Sequence, residues 1–348
     1  MNMCGVEIKA VAAKVPTLAV KNEDPQWFSK ISSTDREEWE QKWGIKQRYY
    51  TDLSVSMPMD ISVSVAQEAL QLAELDSDDI DLFITSSSLA VQIPERQFYP
   101  RISHTLKQRL QLKNATAEFD IQNECSSMMD GLQLAANAIM TGQAEHVLIL
   151  TQEISSAIMD RSCVNGMNFG DGYAAMVVSK SSDPTLGIVS QHYQSFPKHH
   201  KLATICWNDK VDTYFGLCFD MPEQGARVMG QFVPKSLPKL VNAAMKKVEL
   251  DSNDIDFFVF HQPARKLIDA WCALLRIPEH KVLKIMEEFG CAVAAAMPLA
   301  FNIALQQQAI ADNSKIVIAS PSIGWGFGAQ IWQLGKVPKF SSNVHYQI

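Results

Sequence analysis

Four short runs along the chain are almost wholly apolar: LFIT (82–85), VLIL (147–150), FFVF (257–260) and IVIA (316–319). Strands covered by helices on both faces carry such runs, whereas half-exposed strands alternate. Helical periodicity precedes two of them, in VAQEALQLAEL (65–75) and LVNAAMKKVEL (240–250). A third helix is expected after residue 125, where apolar residues fall at 128, 129, 132, 135, 136 and 139, closing at Gly142.

These elements repeat. Residues 74–84 read ELDSDDIDLFI and residues 249–259 read ELDSNDIDFFV, with eight of eleven positions identical. QAEHVLILTQE (143–153) corresponds to DNSKIVIASPS (312–322), each a polar turn entering a buried strand. FGDGYAAMVV (169–178) and WGFGAQIWQL (325–334) each place an aromatic-Gly-x-Gly turn before an alternating strand. Three matches in one order indicate two copies of one α/β unit. The expected architecture is α/β, with two pseudo-symmetric halves (1–185 and 186–348) whose sheets enclose a layer of central helices. The stretch 195–235 breaks the pattern and is expected to be an insertion over a pocket. The polar tail after Gly335 is either an extra strand or a loose end.

Composition narrows the function. The 348 residues are 47% hydrophobic and 20% charged, with a net charge of −7. Nucleic acid and anionic membranes reward basic patches, so neither is expected as a partner. No apolar run reaches membrane-span length. The start MNMCGVEIKAVAAKVP has no signal-peptide pattern, making the cytoplasm the expected compartment. The seven cysteines are scattered, without CxxC or metal-ligand spacing, so neither a disulfide framework nor a metal site is expected.

Candidate chemistry falls at junctions. Cys125, in NECSSMMDG, stands between the strand-like ATAEFDIQNE and the helix that follows. A helix N-terminus stabilises a thiolate and lowers its pKa, and its free N–H groups bind an oxyanion. Cys125 is therefore either a nucleophile or a buried structural thiol. His261 follows the FFVF strand, before a helix that Pro263 is expected to start. It is either a base or donor at a strand end, where sites gather, or a histidine satisfied by backbone. Pseudo-symmetry lets a thiol from one half meet a histidine from the other, as nucleophilic catalysis requires. Cys291, after Gly290, is expected on the first turn of a second central helix, as Cys125 is on the first. The glycine-rich SPSIGWGFGAQIW lacks both P-loop and dinucleotide spacing and is expected to be a tight turn or hairpin. Asp171 is expected in a turn, and His199 and His200 in a solvated loop.

In this order, ECSSMMDGLQLAANAI, NFGDGYAAMVV, DIDFFVFHQPARK and GWGFGAQIWQLG resemble the thiolase-like ketoacyl synthases of the 3-oxoacyl-[acyl-carrier-protein] synthase III type. The resemblance implies a five-layered αβαβα thiolase fold. It implies that Cys125 takes an acyl group from acyl-CoA or an acyl carrier protein and that His261 assists a decarboxylative condensation. The expected oxyanion hole is the Cys125 N–H with an N–H of the Ser322–Gly324 turn. The family's asparagine falls at Cys291, a departure, because a thiol cannot supply the amide's hydrogen bonds. HQPA and GWGFGAQIWQLG further resemble a branch that keeps Cys and His without the asparagine, the 2-alkyl-4-quinolone synthases. That implies an octanoyl-like acyl group, a β-keto acid co-substrate such as 2-aminobenzoylacetate, and no cofactor beyond acyl-CoA as substrate. It also implies a second thiolase-fold subunit in a heterodimer or heterotetramer, with a homodimer otherwise. The alternatives are a synthase making another β-keto product and a non-catalytic partner subunit.

Overall fold

A computed structural model describes residues 4–347 except 114, 209, 212, 214, 215 and 325. The apolar runs are strands of two sheets. The first contains, in spatial order, β14 (Lys339–Phe340), β1 (Gly5–Lys14), β7 (Gly172–Ser181), β6 (His146–Glu153), β4 (Leu82–Ser86) and β5 (Ala117–Ile121). The second contains β11 (Phe257–Phe260), β12 (Lys315–Ser322), β13 (Gly326–Gln333) and β8 (Gly187–Ser195). The series β4-β6-β7-β1 and β11-β12-β13-β8 share one pattern: a parallel pair, then two antiparallel pairs.

The duplicated segment repeats down to single bonds. Glu74 caps its helix and Glu249 stands in the turn just after its own, both in the left-handed region, at φ 57° and 58°. In the turns that follow, Asp76 N–H donates to Asp79 Oδ2 and Asp251 N–H to Asp254 Oδ2, each at 2.8 Å.

Helices complete the layers. α3 (Pro58–Ala73) and α4 (Ile102–Arg109) share a core with the outer face of the first sheet. α5 (Ser127–Met140) and α9 (Ala296–Gln306) lie between the sheets, where Met128, Leu132, Met297 and Phe301 meet inward residues of both. α6 (Glu223–Lys246) and α7 (Arg265–Leu275) cover the second sheet. Gly131 lets α5 approach closely, since a Cβ there would stand 3.0 Å from Ile149 Cγ2.

Three features differ from the sequence reading. The insertion is shorter: its body is the hairpin of β9 (Thr204–Trp207) and β10 (Leu217–Asp220), and residues 223–235 already belong to α6. The helical run there outlasts Pro234 and Pro238, which had obscured it. The tail is a strand, β14, and it joins the first sheet beside β1 rather than its own half. A segment not singled out in the sequence forms the hairpin of β2 (Leu18–Lys21) and β3 (Gln47–Tyr50), enclosing α1 (Pro25–Phe28) and α2 (Ser33–Trp43). Among the described residues no helix is long and apolar enough to cross a membrane.

Candidate active site

Cys125 lies in a 3₁₀ turn, Glu124–Ser126, which leads directly into α5. The second half has the same device: Val293–Ala295 leads into α9. Both turns open on a non-glycine residue with positive φ, Glu124 at 40° and Val293 at 43°. Such strain persists only where the surroundings over-determine it, and it gathers at functional sites. The two turns are 169 residues apart (293 − 124), so Cys125 corresponds to Ala294 and not to Cys291. The expectation that Cys291 sits on the first turn of its helix is corrected. It precedes the turn, after the short α8 (Met286–Phe289) and Gly290 at φ 64°.

That position fixes Cys291 firmly. Its N–H donates to the Asn168 carbonyl at 2.8 Å and its carbonyl accepts from Gly170 N–H at 3.1 Å. The thiol is buried and lies 3.6 Å from His261 Nε2. His261 follows β11 directly and extends its ladder, donating from N–H to the Ala319 carbonyl at 3.1 Å. α7 begins at Arg265 with Ala264 as its cap, so Pro263 precedes the helix and does not start it.

Cys125, His261 and Cys291 line one cavity of about 140 Å³. Trp39, Lys42 and Trp43 of α2 also line it, so the N-terminal hairpin contributes to the site. The available signal was two tryptophans four residues apart in an otherwise charged helix, which places both on one face. Cys125 also opens on a second cavity of about 570 Å³, bounded by Leu89, Phe98, Met159, Trp207 and Val293 among others. The β9–β10 hairpin walls that cavity, and His200, exposed as expected, lies at its edge.

Electrostatics depart from expectation. Burial pushes the Cys125 thiol well above its usual value, with Cys291, Glu124 and Glu153 adding to the shift. This runs against the lowered pKa expected at a helix N-terminus: desolvation is the largest effect on this thiol, and it raises the pKa. Burial pushes Cys291 up to about 12 and His261 down to about 3. The resting site thus holds neutral thiols beside a neutral imidazole, not a thiolate–imidazolium pair.

Ser322 ends β12. Its hydroxyl donates to the Asn123 carbonyl at 2.8 Å, bracing the turn that carries Cys125. Ser320 Oγ donates to the Cys125 carbonyl at 3.1 Å. The glycine-rich stretch is the β12–β13 hairpin, pairing Ser322 with Gly326, while Trp325 lies outside the described residues. Asp171 is not a simple turn residue. It is buried and accepts from the N–H groups of Thr51 and Ser156 and from Ser156 Oγ, with burial pushing its carboxyl up to about 6.

The buried acid and base imply a pH dependence of stability. Burial pushes Glu153 up to about 8 from 4.5, so its contribution is full below the unfolded value and is lost as pH rises through 8. His261 falls from 6.5 to about 3, so its contribution is present above 6.5 and is lost as pH falls toward 3. The two slopes oppose each other between 4.5 and 6.5, and above that only the Glu153 loss remains. Thermal melting at closely spaced pH values should show stability falling by on the order of 1 kcal/mol per pH unit between 6.5 and 8. A flat profile there would contradict the assignment of Glu153 as a buried, neutral acid.

A doubled α/β sandwich with a cysteine at a central-helix turn and a histidine from the opposite half defines a thiolase-fold condensing acyltransferase. The family model for 3-oxoacyl-[acyl-carrier-protein] synthase III matches residues 119–197, and its C-terminal counterpart matches residues 245–334. The chain belongs to the 3-oxoacyl-[acyl-carrier-protein] synthase III family. It is 30% identical over 345 residues to the 2-heptyl-4(1H)-quinolone synthase subunit PqsC of Pseudomonas aeruginosa, covering 95% of this chain and 98% of that one. It is also 30% identical to the beta-ketoacyl-[acyl-carrier-protein] synthase III of Ehrlichia canis, covering 92% and 97%. The 3-oxoacyl-[acyl-carrier-protein] synthase III structure from Aquifex aeolicus superposes with a TM-score of 0.83 at 23% identity, over 94% of this chain and all of that one.

Proposed function

We propose that this protein loads a medium-chain, octanoyl-like acyl group from acyl-CoA onto Cys125 and condenses it with a β-keto acid such as 2-aminobenzoylacetate, giving a 2-alkyl-4-quinolone. The observation that carries the proposal is the meeting of the buried residues Cys125, His261 and Cys291 on one cavity. In the first step the Cys125 sulfur attacks the thioester carbonyl. The new S–C bond replaces the bond to coenzyme A, and the thiol proton passes through His261 to the departing CoA sulfur. The Cys125 N–H and an N–H of the Ser322–Gly324 turn receive the oxyanion. No cofactor beyond the acyl-CoA substrate is required. The larger cavity is of a size that holds small molecules, commonly about 300–1,000 Å³, and we place the acyl chain there.

Cys291 then selects the second substrate. A family asparagine holds the enolate oxygen through its amide, and a thiol offers only one weak donor. A β-keto acid loses CO2 through its own internal proton transfer and needs less support than a malonyl thioester. The PqsC relative points the same way: a 2-heptyl group joined to a ring carbon is an octanoyl unit counted whole. That relative is also named as a subunit. We place a second thiolase-fold subunit against β5, the edge of its sheet, where Phe98, Tyr99 and Phe119 are exposed.

Product analysis tests the reading. Acylated protein given 2-aminobenzoylacetate should yield the quinolone, and malonyl-carrier protein should yield little. The reverse preference would make this an ordinary elongating synthase. Cys291→Asn should raise condensation with malonyl-carrier protein by about tenfold or more while leaving Cys125 acylation within about threefold. No gain in the folded variant would remove residue 291 from control of the second substrate.

A further inference from the structure

The two halves brace each other's turns. At the end of β12, Ser320 and Ser322 hold the first-half turn through the carbonyls of Cys125 and Asn123. β6 is the counterpart of β12 at the same 169-residue offset (315 − 146), so Glu153 stands where Ser322 stands. Glu153 serves the second-half turn, with the polarity reversed: it accepts where Ser322 donates. Ser88 N–H reaches its Oε1 at 2.7 Å, the Ser88 hydroxyl bonds its Oε2, and the Ala294 amide lies close enough to favour its charged form. Ala294 is the residue that corresponds to Cys125.

Glu153 is only 2% exposed, behind the walls of the larger cavity. Ser88 lines one part of that cavity and Val293 another, and both meet at this carboxyl through Ser88 itself and the Ala294 amide. The groups around it that titrate are few. Glu124 acts on Glu153, and Glu153 acts on Cys125 and Cys291. Asp171, next to the paired Gly172 on β7, is turned to Thr51 and Ser156 instead.

We propose that Glu153 is a positioning residue for acyl transfer: its carboxyl ties Ser88 to the Val293–Ala295 turn and so fixes the larger cavity around the Cys125 sulfur. The proposal rests on the acyl-transfer reading above. A carboxyl offers an acceptor oxygen to both walls, the neutral acid through its carbonyl and hydroxyl oxygens. A glutamine keeps one acceptor and turns an NH2 group toward an N–H, leaving one wall loose. Because the acid is neutral below about 8, it adds no negative charge beside the reacting thiol at neutral pH. Once ionised, it opposes the charge that develops on the Cys125 sulfur.

The test is the single-turnover rate of acyl transfer from acyl-CoAs of several chain lengths onto Cys125, read by mass spectrometry across pH. Wild-type protein should show a falling limb near 8 as Glu153 ionises. Glu153→Gln should acylate about tenfold more slowly at neutral pH, lose that limb and discriminate less among chain lengths. Ser88→Ala removes a single donor to the charged form, so its limb should move to higher pH; it keeps the test decisive if Glu153→Gln fails to fold. Rates within about twofold of wild type, with the same limb and chain preference in the folded variants, would overturn the proposal. A wild-type adduct with unchanged variants overturns the positioning role alone, whereas a wild type that forms no adduct overturns the acyl-transfer reading with it.

Discussion

Cys125→Ala is expected to reduce acyl transfer from acyl-CoA to background, a loss of about 10³-fold or more, because no other group in the site can form the thioester in its place. Cys291 is not a substitute. It lies on the same cavity, but its backbone is pinned between Asn168 and Gly170, and it precedes the turn and helix that would stabilise an oxyanion. The replacement removes one buried sulfur from a small, well-supported turn, costing on the order of 1 kcal/mol, so the variant should fold. The loss would then be chemical. Full product formation by Cys125→Ala, assayed with any partner subunit, would instead mark the chain as a non-catalytic member of a complex.

His261→Ala is expected to slow acylation by about 10²-fold or more, the usual scale for a positioned general base. The effect should be large because burial keeps Cys125 in its thiol form, so attack requires a proton acceptor at hand. A thiolate activated in advance would need no such partner. Single-turnover acylation and product formation should be measured separately, since the same imidazole serves both steps. Acylation within about threefold of wild type would show that the thiol loses its proton to another group and would leave His261 a role in condensation only.

Much of this site was legible in the sequence, and the reasons are physical. The repeat ELDS-x-D-I-D survives because each copy places a left-handed residue after a helix and builds the same aspartate-braced turn, for which few residues substitute. The apolar runs had to be strands buried on both faces, and they are. Cys125 and His261 stand at the junctions that their neighbours specified. The register of Cys291 was missed because its glycine and the small-residue run after it resemble a helix start. The actual turn opens on Val293, a β-branched residue held at positive φ by its surroundings. The direction of the Cys125 shift was also missed, since a local pattern shows the helix terminus but not the depth of burial. Glu153 gave no signal at all: its importance lies in partners 65 and more than 140 residues away, Ser88 and Ala294.

The central claim is that Cys125 carries the acyl group. Intact-mass analysis of the protein mixed with octanoyl-CoA, followed by peptide mapping, addresses it directly. The expected result is one octanoyl adduct on the peptide containing Cys125, absent from Cys125→Ala. No adduct, or an adduct on the Cys291 peptide in its place, would contradict the account.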